Sequence, residues 1–174
     1  ISDALDTFIA SGITSLVLDL RDNKSVNYHA AMEALDLFLP MTSDEKPAAT
    51  VIDNSGEIVK TYNMTPGEIK LPVAVLVSSS TASAAEIFVS DMKLMNKCDI
   101  YGDESTKGDC LVQEIFELSD GGALLLSVGK ISPYSGEGYE RTGITPDYVY
   151  EYEEKNDNFA KDKLFLYAAS LLLG

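Results

Sequence analysis

Histidine and cysteine are nearly absent from this chain: among 174 residues there is one histidine, His29, and two cysteines, Cys98 and Cys110. A structural zinc site draws about four ligands from such residues, so the inventory is too small for one. Nor can two cysteines build a disulfide framework, although a single Cys98–Cys110 bond and two plain thiols both remain open. Basic residues are also scarce, with 13 Lys and Arg against 28 Asp and Glu and a net charge of -15. That field repels phosphate backbones and excludes a nucleic-acid partner. Long apolar runs are missing. The stretch 71–77 is among the longest, well short of the roughly 20 residues that cross a bilayer. No basic segment followed by an apolar one opens the chain, which begins at Ile1 and reads as a piece of a longer product. Internal repeats and low-complexity tracts are absent as well.

What is there is ordinary globular material. Hydrophobic residues make up 45% and charged residues 24%, which excludes a disordered class. A mass of 18.8 kDa suits a single domain over 1–174. Residues 3–11 carry Leu5, Phe8 and Ile9 at helical spacing and stop at Gly12, a good left-handed cap. Residues 15–20 read as a buried strand. Residues 27–39 recur with helical period through Ala31, Leu35, Phe38 and Leu39, and Pro40 ends the run. Strand followed by helix opens a βαβ unit.

Residues 48–63 form a hairpin about Asn54-Ser55-Gly56, and 73–77 a second buried strand. A helix over 82–95 and a short strand at 99–101, closed by Gly102, follow. After a polar loop over 102–110, residues 112–118 and 123–131 flank Ser119-Asp120-Gly121-Gly122, another hairpin. Residues 132–147 are irregular, 147–150 an edge strand and 159–173 a closing helix. The pattern predicts a mixed α/β domain.

Chemistry concentrates at the strand-to-helix junction Val77-Ser78-Ser79-Ser80-Thr81-Ala82-Ser83-Ala84-Ala85-Glu86. A serine at a helix start lies near free backbone N–H groups and the positive end of the helix dipole. Such N–H groups can hold an oxyanion, which suits nucleophilic acyl transfer. The same letters, Ser83-x-x-Glu86, also spell a capping box, a purely structural device.

The order of segments resembles the catalytic core of the carboxy-terminal processing peptidases, or tail-specific proteases. That family carries D-L-R-x-N-P-G-G after a strand, then D-L-F-L-P, S-A-S-A-S-E, V-G-E-x-T-F-G-K-G-x-V-Q, T-P-S-G-R and G-I-x-P-D. Here stand Asp19-Leu20-Arg21-Asp22-Asn23, Asp36-Leu37-Phe38-Leu39-Pro40, Thr81-Ala82-Ser83-Ala84-Ala85-Glu86, Tyr101-Gly102 and Val112-Gln113. Ser132-Pro133-Tyr134-Ser135-Gly136 and Gly143-Ile144-Thr145-Pro146-Asp147 complete the set. The matches run in order from Leu16 to Asp147. An acyl-CoA enzyme of related architecture fits less well, because D-L-F-L-P and G-I-x-P-D favour the peptidases.

The resemblance implies an α/β fold with a mixed sheet, flanking helices and a crotonase- or Clp-protease-like spiral core. It implies a serine peptidase that cleaves polypeptides near their carboxy termini, without metal or cofactor, outside the cytoplasm, on unstructured segments. Ser83 would be the nucleophile and Ala84 N–H, with an N–H at Ser25, the oxyanion hole. Gln113 matches the supporting glutamine. Counting four back from it, however, reaches Asp109 where the family has its lysine base. Lys107, two residues earlier, is the substitute candidate, with Lys24 behind it. His29 is a remoter base. The P-G-G loop reads Lys24-Ser25-Val26, and Glu137 stands in place of the arginine of T-P-S-G-R. These departures imply the alternative of a catalytically impaired pseudopeptidase that binds peptides or acts as a scaffold. Tyr134, Tyr139, Tyr148, Tyr150 and Tyr152 are expected as half-buried strand and rim residues, with a peptide groove as the other reading. Cys110 as a nucleophile has no close His or Lys partner in sequence beyond Lys107, and an exported location would permit its bond to Cys98.

Overall fold

The computed structural model describes residues 2–39, 47–65, 67, 69–152 and 155–173. Among these residues, eight strands sort into two sheets. The first is parallel, in the order β1 (Leu16–Asp19), β4 (Val73–Leu76), β5 (Asp99–Gly102) and β8 (Tyr148–Val149). The second is antiparallel, in the order β3 (Ile58–Tyr62), β2 (Ala49–Asp53), β7 (Ala123–Pro133) and β6 (Leu111–Glu117). The expected mixture of parallel and antiparallel pairing is therefore divided between two sheets.

β4 explains why the core forms where it does. All four of its residues are buried, as an apolar run between two covered faces requires. Val73, Val75 and Val77 join the larger core with α2 (Tyr28–Asp36) and α3 (Ala84–Asp91), while Ala74 and Leu76 face α4 (Lys163–Leu173) through Leu164 and Ala168. The period of two in the strand sorts side chains between the layers. Helix α1 (Ser2–Ala10) buries Leu5 alone and ends at Gly12, whose φ of 79° is the expected left-handed turn. Pro40 lies outside the described residues. α3 is shorter than its apolar pattern suggests: from Met92 to Asn96 the chain widens into a π-helical turn and leaves it at Lys97, with φ 55°.

The Gly143-Ile144-Thr145-Pro146-Asp147 segment is a clamp. A Cβ on Gly143 would lie 1.9 Å from the Thr106 carbonyl oxygen, so only glycine lets the two backbones meet. Ile144 N–H then donates to Thr106 Oγ1 (2.8 Å), and Asp147 accepts the Ile100 N–H (3.0 Å). Because β1, β4 and β5 run parallel, the loops after their carboxyl ends, at 20–27, 77–83 and 103–110, emerge side by side. In open α/β sheets that is where ligands bind.

Candidate active site

The turn from β4 into α3 is stitched to the loop after β1. Thr81 Oγ1 donates to the Leu20 carbonyl (2.7 Å), Ser78 Oγ to the Arg21 carbonyl, and Ala82 N–H to the Asn23 carbonyl (3.0 Å). Ser83 closes the turn with φ 59° and ψ -118°, outside the regions a residue with a Cβ readily adopts. Such strain costs on the order of 1–3 kcal/mol and persists only where surrounding bonds enforce it.

Glu86 supplies the enforcement. It is fully buried and accepts four hydrogen bonds, from Ser83 N–H (2.9 Å), Thr106 Oγ1 (2.5 Å), Gly108 N–H (2.6 Å) and Asp109 N–H (2.8 Å). One carboxylate thus ties the serine turn to the loop over 106–109. The Glu86 half of the capping box is formed. Its own N–H goes to the Ser83 carbonyl (2.9 Å), and the serine hydroxyl keeps its own proton to donate.

That hydroxyl meets Tyr28. The two oxygens are 3.0 Å apart in a buried contact, and Tyr28 donates its single proton to the Leu111 carbonyl (3.2 Å). Proton counting then makes Ser83 the donor and the phenol oxygen the acceptor. Burial raises the Tyr28 pKa, the Ser83 hydrogen bond opposes this, and the nearby acids Asp109, Cys110 and Tyr62 add to it. Tyr28 went unnoticed in the sequence, since it reads only as an aromatic opening a helix.

The other residues singled out are distributed unevenly. Ala84 and Ser25 do meet, but Ala84 N–H donates to the Ser25 carbonyl (2.9 Å), and Ser25 N–H donates to Asn23 Oδ1 (3.0 Å). Both N–H groups are thereby engaged within the fold. Lys107 N–H donates to the Thr81 carbonyl (3.0 Å), which anchors its backbone beside the serine turn, while its side chain is exposed. Gln113 is exposed on β6 opposite Ser127, and Lys24 is exposed on the β1 loop. Asp109 turns its carboxylate to the Leu111 N–H (3.3 Å). His29 follows Tyr28 on α2 but points outward, 76% exposed, and lies 3.4 Å from Glu33.

Both cysteines are free and buried, so the disulfide is not formed. Cys98 precedes a strand of the parallel sheet and Cys110 one of the antiparallel sheet, so the two strands do not run side by side. Burial pushes the Cys98 thiol up to about 12 and that of Cys110 upward, leaving neither as a thiolate nucleophile. Tyr139 is buried outright rather than half-buried. Tyr148 stacks on Tyr101 (4.8 Å), Tyr150 on Tyr167 (4.7 Å), and Tyr152 lies under Arg21 (5.4 Å). These rings pack the β5–α4 side of the molecule.

Beside Ala84 opens a mostly apolar cavity of about 320 Å³, lined by Leu18, Ala31, Ala34 and Phe88 together with the polar Asp19 and Asn23. Among the described residues, no three His, Cys, Asp or Glu side chains converge as a metal site would require.

A strained, buried serine thus stands at a strand-to-helix turn. The model of peptidase family S41 matches residues 1–150. The chain belongs to peptidase family S41. It is 31% identical over 150 residues to carboxyl-terminal-processing peptidase 2, chloroplastic, of Arabidopsis thaliana, covering 85% of this chain and 28% of that protein. Against the carboxyl-terminal-processing protease of Synechocystis the identity is 29% over 151 residues, covering 87% and 34%. Among solved structures, the photosystem II D1 C-terminal processing protease superposes with a TM-score of 0.74 at 27% identity, covering 86% of this chain and 38% of that one. A lipoprotein of Streptococcus agalactiae gives 0.73 at 26%, covering 99% and 59%. This S41 chain spans about a third of the length of the two curated relatives. The S41 family is one of serine proteases, and both of these curated relatives are named for carboxyl-terminal processing.

Proposed function

We propose that this chain is a peptidase core in which Ser83 attacks the scissile carbonyl of an extended polypeptide near its carboxy terminus. The observation that carries the reading is the Ser83 backbone, with φ 59° at the mouth of α3. A side chain held in a costly conformation by a buried four-bond carboxylate is hard to explain as a helix cap alone. The neighbouring apolar cavity fits an uncharged side chain beside the scissile bond. Lys107 is the candidate base of the family type, supported only by the bond from its backbone N–H to the Thr81 carbonyl of the serine turn, with Gln113 as its supporting residue. The names of the relatives, one chloroplastic and one a lipoprotein, favour a location outside the cytoplasm.

A second reading, a peptide-binding pseudopeptidase, is favoured by two specific features. Asp109 stands at the family lysine position, and the Ser25 carbonyl occupies the Ala84 N–H that an oxyanion would need.

The test is hydrolysis of an unfolded polypeptide such as casein, followed by mass spectrometry. Ser83→Ala is expected to lower turnover by at least a thousandfold, the scale of losing a nucleophile. Binding of the polypeptide with no cleavage at any pH gives the second reading. Equal turnover by the wild type and Ser83→Ala overturns the first.

A further inference from the structure

We propose that Tyr28 is the proton acceptor of Ser83, so that the site works as a serine–tyrosine dyad in place of a serine–lysine one. The inference rests on Ser83 being the nucleophile and replaces Lys107 in the role of base.

The geometry carries it. Tyr28 is the side chain in hydrogen-bond contact with the Ser83 hydroxyl, at 3.0 Å, and both residues are buried. The phenol is fixed from two sides: α2 presents it, and the Leu111 carbonyl at the start of β6 takes its proton at 3.2 Å. Lys107, by contrast, is solvent-exposed, and the family lysine position holds Asp109, whose N–H is spent on Glu86. The serine oxygen is contacted by an aromatic hydroxyl from a different element, α2.

The titratable groups facing the phenol are Asp109 and Cys110 from the loop before β6, Tyr62 at the end of β3, and Tyr139 from the segment after β7. All are acids, and burial works in the same direction, so the phenol stays neutral through the physiological range. A neutral phenol whose proton is given to Leu111 cannot receive a second one. The dyad therefore acts through the phenolate. The phenolate oxygen takes the Ser83 proton as the Oγ–carbon bond forms and the carbonyl π pair moves onto its oxygen. The resulting phenol returns that proton to the amide nitrogen as the C–N bond breaks. Water repeats the sequence to release the acyl group. With an ordinary pKa near 10, only about one phenol in a thousand is ionised at pH 7, and the shift here makes it fewer. The enzyme is expected to be nearly idle at neutral pH and to strengthen in alkali.

The experiment is the pH profile of casein hydrolysis from pH 6 to 10 for the wild type, Ser83→Ala, Tyr28→Phe and a protein carrying 3,5-difluorotyrosine at position 28. The expected wild-type rate climbs close to tenfold per pH unit without levelling near neutrality. Tyr28→Phe should lose about a hundredfold or more at pH 9.5, the usual share of a general base, and lose the rising limb with it. Difluorotyrosine, an intrinsically stronger acid, should move the limb to lower pH, a shift that a packing role would not produce. Circular dichroism melts verify that Tyr28→Phe is folded. A rising limb that survives in Tyr28→Phe but vanishes in Lys107→Met overturns the dyad while leaving Ser83 as nucleophile. A profile unmoved by difluorotyrosine overturns it too. Hydrolysis that persists in Ser83→Ala defeats the underlying reading instead, and is told apart by that variant alone.

Discussion

Two buried carboxylates on one helix, Glu86 and Asp91, have opposite circumstances. Glu86 has four donors around it, so each oxygen is matched twice. Asp91, at the last turn before the π-helical segment, accepts the Tyr134 N–H (3.1 Å), and among the described residues its second oxygen is buried without a partner. Burial pushes the Asp91 pKa up to about 7, with the Tyr134 bond opposing it weakly. An acid raised in the folded state holds its proton there while the unfolded chain has already lost it. Folding stability is then full below about pH 4 and falls as pH rises toward 7, by at most roughly 1.4 kcal/mol per pH unit. Asp91→Asn is nearly isosteric and cannot ionise. It is expected to raise the melting temperature at pH 8 and leave it unchanged at pH 4. Thermal melts at the two pH values check this, and an equal change at both would refute the burial argument.

At the scale of elements, much was legible and the reasons are local. Asn54-Ser55-Gly56 and Asp120-Gly121-Gly122 sit in the two hairpins that their turn chemistry predicts, and the run at 73–76 is the buried central strand. Period and turn residues act within a few positions, so they survive in the sequence. Division into two sheets depends on pairing between distant strands, which no local period encodes. The same holds for Tyr28 meeting Ser83 across 55 positions. The state of the 23–26 loop is subtler still, because it turns on the orientation of one peptide unit. Neither Ser25 nor Val26 has positive φ, and the Ser25 carbonyl points at Ala84 N–H. Rotating the Ser25–Val26 peptide would bring an N–H into that place, but it drives a β-branched residue toward a left-handed conformation costing about 1–2 kcal/mol. Glycine pays no such penalty. The pair Ser25→Gly and Val26→Gly is expected to speed fluorophosphonate labelling of Ser83 about five- to thirtyfold. A labelling rate equal to wild type would show that the loop does not limit the site.

For the molecule as a whole, one buried ion network joins the site loop to the closing helix. Arg21, 1% exposed, donates to Asp19 (2.7 Å) and reaches Asp162 (2.9 Å), which in turn accepts the N–H groups of Phe165 (2.8 Å) and Asn156 (2.9 Å). Burial alone would raise both aspartates, but the Arg21 and backbone hydrogen bonds outweigh it and hold both below the usual carboxylate range. A depressed acid contributes stability above its unfolded value near pH 4 and loses it as pH falls further. Asp91 works the other way, and so does the net charge of -15, whose self-repulsion eases as the pH approaches the isoelectric value of about 4.2. The two tendencies cross, so the folded chain is expected to be most stable between about pH 4 and 5. Removing the network should erase only the acid side of that optimum. Asp162→Ala leaves Arg21 partly unpaired in the interior and should cost about 3 kcal/mol at pH 7, the scale of breaking a buried pair. The loss should shrink below pH 4, where the wild-type carboxylate is itself being protonated. Urea titrations from pH 3 to 8 read both effects, and a stability that climbs steadily toward pH 8 would mean that Asp91 and the overall charge have been assigned the wrong weight.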